Sequence, residues 1–305
     1  MFQKPSILES SHDLSHMHPS VKPPRVLCQV ALLTLMVGAI SATSNVSAQT
    51  VQYRSPAGIE YRSLADTGPI ARATAALAVD PKNIQKFIAL GVAQSGARQF
   101  REAIKTFTRA LVIAPNDAML YRWRGHRYLS VREFDKASAD LRKGYDIDRN
   151  NYGILFHSGV LSFIKRDFNT AVRMFTAAQP LAPDGGELTG STDWLWMSLA
   201  RAGRLADANA MLARRPDTLA APPGYAYASR LKLYRGELTP ATLIAAGDTA
   251  DVQVATLNFG LGNWYVVRGD TVNARRAFER VIASGGWAGF GFMAAEVELK
   301  PKKAK

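Results

Sequence analysis

IQKFIALGVAQSGARQFREAIKTFTRALVIAPND at 84-117 is followed by AMLYRWRGHRYLSVREFDKASADLRKGYDIDRNN at 118-151 and by YGILFHSGVLSFIKRDFNTAVRMFTAAQPLAPDG at 152-185. Laid over one another, the three stretches agree column by column: Gly91, Gly125 and Gly159; Phe100, Phe134 and Phe168; Ala103, Ala137 and Ala171; Phe107, Leu141 and Phe175; Ala110, Gly144 and Ala178. Pro115 and Pro183 share a column in which Arg149 departs. A fixed period of about 34 residues marks an array of helical repeats. Each column has a steric reason. Gly and Ala belong where two helices cross, because a larger substituent would push the axes beyond the usual ~8-10 Å. The aromatic columns give every unit an apolar face that only a neighbouring unit can cover. Proline near the end of a unit stops its second helix, since it lacks the N–H and disfavours helical geometry in the residue before it.

These columns resemble the tetratricopeptide repeat (TPR), whose unit is two antiparallel helices. The resemblance implies an all-α, right-handed superhelix in which the first helix of each unit lines the concave face. Its groove positions fall here on Gln85, Ile88, Val92 and Ser95, on Met119, Arg122, His126 and Leu129, and on Gly153, Phe156, Val160 and Phe163. The expected partner-binding groove is therefore Ile88, Val92, Met119, Arg122, His126, Leu129, Phe156, Val160 and Phe163, largely apolar with a basic spot. Arg122 and His126 lie one helical turn apart and can hold an acidic or carboxylate-bearing segment, or pair with neighbouring acids and solvent. His157, beside Phe156, reads as a packing residue. The carboxylate clamp that grips chaperone tails is not matched, because Ile88, Val92 and Gly153 stand where it needs Lys or Asn.

Outside the regular units the chain divides further. Lys22 and Arg25 precede an apolar run from Val26 to Ala42, and a polar stretch ends at Val46-Ser47-Ala48. Residues 1-48 read as a secretory signal peptide cut after Ala48, with initiation at Met1 or Met17. The alternative is an N-terminal membrane anchor, for which the run is shorter than the ~20 residues that a span requires. Cys28, the single cysteine, opens the run after Leu27 and lacks the placement of a lipid-attachment site. Residues 49-68 carry Pro56, Gly58 and Gly68 and are expected to be a flexible lead-in. The regular array covers 69-185, beginning with an Ala-rich helix from Pro69 to Val79. Degenerate helix pairs follow over 186-254, broken by the prolines and glycines of 180-191 and by Pro216, Pro222 and Pro223. A clear unit returns within 255-299, with Leu261, Gly262, Tyr265, Ala274 and Phe278 in their columns and Trp287 to Leu299 as a C-terminal capping helix. Residues 300-305 form a basic tail.

GLGNWYVVRGDTVNARRAFERVIASGG at 260-286, WAGFGFMAAEVEL at 287-299 and YRGELTPATL at 234-243 resemble the NlpI-type TPR lipoproteins of Gram-negative envelopes. That resemblance implies a non-enzymatic adaptor that brings envelope proteases and cell-wall-remodelling enzymes together. The missing lipid-attachment cysteine points to a periplasmic protein instead of one anchored in the outer membrane. The alternative is a subunit of an export or polysaccharide-secretion machine.

No HExxH helix, nucleophile-elbow serine or phosphate-cradling loop occurs, so no catalytic residue, cofactor or metal is expected. His12, His16 and His18 fall in the presequence, and Gly286, Gly289 and Gly291 follow no strand, which makes them helix-packing glycines. Lys plus Arg number 38 against 25 acids; without 1-48, which hold Lys4, Lys22, Arg25, Glu9 and Asp13, the balance is 35 against 23. Such a field attracts polyanions. In an envelope these are cell-wall polymer, lipid head groups and acidic proteins, not nucleic acid. Arg98, Arg132 and Arg166 recur at the turn inside each unit, where they are expected to offset the negative end of the first helix.

Overall fold

The computed structural model describes residues 49-214, 225-245 and 250-300. The expected signal peptide, the prolines at 216, 222 and 223, and the tail beyond Lys300 lie outside them. The described residues form fourteen α-helices and one two-stranded sheet. Helix α1 (Pro69–Val79) leads into three regular pairs: α2 (Ile84–Gly96) with α3 (Phe100–Ile113), α4 (Ala118–Ser130) with α5 (Phe134–Ile147), and α6 (Tyr152–Ile164) with α7 (Phe168–Ala178). After a short 3-10 turn at Gln179–Leu181 come α8 (Gly185–Arg201) with α9 (Leu205–Ala213) and α10 (Ala226–Arg235) with α11 (Pro240–Ala245). The series closes with α12 (Asp251–Val266), α13 (Thr271–Ala283) and α14 (Phe290–Glu298). This is a TPR-type solenoid of helix pairs.

The Ala column is buried at the crossings as expected, whereas the Gly column makes room for an aromatic ring of the second helix and not for a closer approach of the axes. A Cβ on Gly159 would lie 2.7 Å from the Phe175 ring, and Gly91 and Gly262 stand in the same relation to Phe107 and Phe278. Where the ring is replaced by Leu141, a Cβ on Gly125 would have 3.1 Å, so the tightness follows the partner's size. Ala103, Ala137 and Ala171 are fully buried at the crossings. An Asx residue begins each regular first helix: Asn83, Asp117 and Asn151 accept from the backbone N–H of Lys86, Met119 with Leu120, and Ile154. Such caps satisfy N–H groups that a helix start leaves open.

The turn that ends each first helix needs one left-handed residue. Gly203, Gly236 and Gly269 supply it in the later pairs, with φ of 80°, 80° and 77°. In the three regular pairs the same position is an arginine: Arg98, Arg132 and Arg166 sit at φ 54°, 62° and 63°. A non-glycine residue there costs roughly 1-2 kcal/mol. The side chains account for it. Arg98 binds Asp251 at the start of α12 (2.7 Å), Arg132 binds Glu296 of α14 (2.9 Å), and Arg166 binds Glu298 of α14 (2.9 Å). The dipole reading of this column is therefore corrected: the arginines fasten the N-terminal units to the C-terminal helices.

Two further expectations change. Residues 49-68 are not a flexible lead-in, because β1 (Val51–Arg54) pairs antiparallel with β2 (Glu60–Arg62), Tyr53 opposite Tyr61. A lone hairpin is marginal in water. This one is held at both ends: the buried Gln52 accepts from Arg101 N and donates to Glu102 of α3, Tyr53 Oη donates to Glu296, and Tyr61 stacks on Trp287. The Pro- and Gly-rich stretch at 180-191 breaks the chain only as far as Asp184, whose side chain caps α8, so that helix runs through Gly185, Gly186 and Gly190.

Candidate functional site: two halves of one concave face

The expected groove residues divide sharply. On α2 and α4, Val92 and Met119 are each 40% exposed, and Ile88, Arg122 and His126 are half-buried. Leu129, Phe156, Val160 and Phe163 are core residues. The aromatic pair expected to face a partner is thus unavailable, and the reason is tertiary. Phe163 is packed edge-on between Trp194 of α8 and Phe259 of α12, at 5.2 and 6.0 Å. Phe156 meets Phe175 behind it and Phe290 of α14 in front, at 5.6 and 6.1 Å.

Helix α14 is the covering element. Besides capping α12 and α13, as expected, it lies against α6. Phe290 rests on His126 at 5.1 Å and on His157 at 5.6 Å; Phe292, fully buried, meets Tyr61 edge-on. Its two glutamates are enclosed by cations and hydroxyls: Glu296 by Arg132 and Tyr53, Glu298 by Arg166 and by Arg201 at 2.9 Å. Their side chains are both 11% exposed, which makes these pairs part of the packing and not surface decoration.

Between the two halves sits a cluster that only partly overlaps the expected basic spot. Arg122, His126 and Arg127 come from α4, and His157 comes from α6. The His126 and His157 rings are 4.1 Å apart. His157 Nδ1 is hydrogen-bonded to Gly153 O. His126 Nδ1 and Arg127 Nε are buried with no hydrogen-bond partner among the described residues. Arg122 lies over the Trp123 ring at 3.9 Å and across Gly153, where any Cβ would collide with it. Arg127 lies over Phe100 at 4.9 Å. Burial, assisted by the neighbouring cations, holds both histidines well below their ordinary value and therefore neutral. Burial also pushes Arg122 down to about 10, against an opposing pull from Glu187, and Arg127 down to about 9.

Arg127 was missed by the sequence reading, although it left a signal. It shares a column with Ala93 and Leu161, so a cation stands at a position that the other units keep apolar. Among the described residues no group of three or more His, Cys, Asp or Glu is placed to hold a metal ion. Among them, too, no helix is long and apolar enough to cross a membrane.

No protein-family model matches the chain. Among curated proteins it is similar to Protein bimA of Emericella nidulans, 28% identical over 103 residues that make up 32% of this chain and 13% of that one. It is also similar to the Protein SGT1 homolog of Bos taurus, 26% identical over 87 residues, 28% of this chain and 26% of that one. The matched stretch thus spans about a quarter or less of these relatives' length. Among solved structures, a tetratricopeptide repeat protein from Parabacteroides merdae aligns over 71% of this chain and 85% of its own at 16% identity, with a TM-score of 0.46. YrrB, a TPR protein with an unusual peptide-binding site, aligns over 70% and 91% at 15% identity, with a TM-score of 0.44.

Proposed function

We propose that the chain is a non-enzymatic protein-binding scaffold whose partner docks on the open half of the concave face, along α2 and α4. The observation that supports this is the pair Val92 and Met119, apolar side chains 40% exposed on adjacent first helices and bordered by Arg122, while the same columns farther along are filled from within. A stacking fold has no need to leave apolar groups in solvent there, and an exposed apolar patch rimmed by polar residues is the usual mark of an interaction surface. The signal-like segment at 1-48 and the NlpI-like C-terminal stretch favour an exported adaptor in a Gram-negative envelope, linking proteases or cell-wall-remodelling enzymes. On this reading the mature protein starts at Gln49. Mass spectrometry of protein recovered from its own envelope checks that start, and an intact mass that includes 26-42 would argue for an N-terminal anchor instead.

The docking reading is tested by placing a photo-crosslinking residue at Val92 and, as a control, at Val272, an exposed apolar position on α13. A discrete partner adduct from Val92 that is absent from Val272 and lost on Met119→Glu is the expected result. Adducts of equal yield from both positions would move the site off this face.

A further inference from the structure

We propose that Arg122, His126, Arg127 and His157 form a binding site for one oxyanion, a carboxylate or phosphate group, seated between α4 and α6 beneath Phe290. Other buried arginines of the chain are paired with acids. Arg132 has Glu296, Arg201 has Glu298, Arg230 has Asp193 at 2.8 Å, and Arg124 holds Asp140 through two nitrogens at 2.7 and 2.8 Å. Arg127 is as buried as these, with 7% of its surface exposed, and no carboxylate among the described residues pairs with it or with Arg122.

The aromatic contacts do not substitute for that partner. Phe100 and Trp123 cover the faces of the two guanidinium groups, and a ring attracts a cation through its face. The N–H edges of guanidinium still require acceptors, and a planar fork of donors matches carboxylate and phosphate oxygens. The buried Nδ1 of His126 is a further polar atom without a hydrogen-bond partner among the described residues. The acid nearest in effect is Glu187 of α8, which acts on Arg122 from a distance while its own Oε2 accepts from Tyr152 Oη at 2.9 Å.

The site is also held in shape. The absence of a side chain at Gly153 makes room for Arg122, and the hydrogen bond that Gly153 O accepts from His157 Nδ1 orients the ring. Arg122 is half-buried and stands one turn along α4 from the exposed Met119, so the open half of the face gives an anion its approach. Burial depresses all four groups, and for His126, Arg127 and His157 no acid opposes it.

Two sources supply this chemistry: an acidic side chain or terminal carboxylate of a docked peptide, or a free inorganic ion. The existence of the site does not depend on the scaffold reading; only the first source does. The full chain is titrated with sodium phosphate, sodium acetate and a short peptide ending in Leu-Glu, each against sodium chloride at equal ionic strength. Thermal midpoint and the imidazole resonances of His126 and His157 are followed. Saturable shifts of those resonances, with a rise in midpoint that chloride does not give, are expected, and Arg127→Met should weaken the response at least tenfold. Tighter binding of the peptide than of acetate assigns the site to a partner's carboxylate; tighter binding of phosphate assigns it to a free ion. Should Arg127→Met not fold, the wild-type resonances decide, and non-saturable shifts that match chloride would overturn the proposal. Because the probes are small ions and one short peptide, that failure would leave the Val92 crosslinking result standing.

Discussion

The first and third repeats carry the same columns and present them to different surroundings. The first packs Phe87, Leu90, Ala103, Phe107, Ala110 and Leu111, with Leu77 of α1 and Leu120 of α4, into a small core separate from the main one, and Val92 on the concave side meets solvent. In the third, Phe156, Val160 and Phe163 occupy the equivalent side and belong to a large core that runs through α8, α12 and α14 to the hairpin. A column specifies which face of a helix a residue occupies, not what that face meets. One half of the groove is a surface, and the other half is interior because α8, α12 and α14 lie against it.

The largest effect expected from breaking this difference comes from Phe292→Ala. The side chain projects from α14 fully buried against Tyr61 of the hairpin, and truncating a buried Phe typically costs about 3-5 kcal/mol. The denaturant midpoint should fall accordingly, and amide exchange over 290-298 should rise before exchange in α2. Equal exchange in both helices would show that α14 is not a separable cover.

Arg132→Ala is expected to cost about 2-3 kcal/mol, because it leaves Glu296 with Tyr53 alone and a charge-assisted bond contributes more than a neutral one. Arg204→Ala, which breaks an exposed pair with Asp207, should stay within ~0.5 kcal/mol. If the two variants lose equal stability in the same titration, the arginine column does not fasten the halves together.

Acidification should act mainly on the seam between the halves. His126 and His157 are neutral in the fold, with protonation opposed by burial and by Arg122 and Arg127. The unfolded chain takes up these protons near ~6.5, so stability is complete above that pH and is lost progressively below it. A His126→Gln, His157→Gln double variant should show a flatter thermal midpoint between pH 7 and 5. A wild-type midpoint independent of pH over that range would contradict the buried pair.

The smallest effect belongs to the open half. Met119→Ala should change stability by no more than ~0.5 kcal/mol, which calorimetry can check, since the side chain is already 40% exposed. A loss near that of Phe292→Ala would mean that the open half is packed after all.

The sequence by itself determined the repeat: the Gly and aromatic columns, the small residues at Ala103, Ala137 and Ala171, and the returning unit at the C-terminus were all legible because they arise within one unit, from residues at fixed spacing. It also marked the candidate groove face, and there its reach ended. Nothing local says that the acids answering Arg98, Arg132 and Arg166 stand at 251, 296 and 298, or that Tyr53 and Tyr61 form a hairpin against Trp287. The arginine pairs and the Tyr61–Trp287 contact join positions more than a hundred residues apart, and each depends on how far the stacked pairs curve before the last helix is placed. Tertiary structure alone therefore decided that Phe156 and Phe163 lie inside, that Val92 and Met119 lie outside, and that Arg127 is buried between them with no acid among the described residues: burial and pairing are set by what the folded chain brings to a face, whereas periodicity sets only which residues share that face.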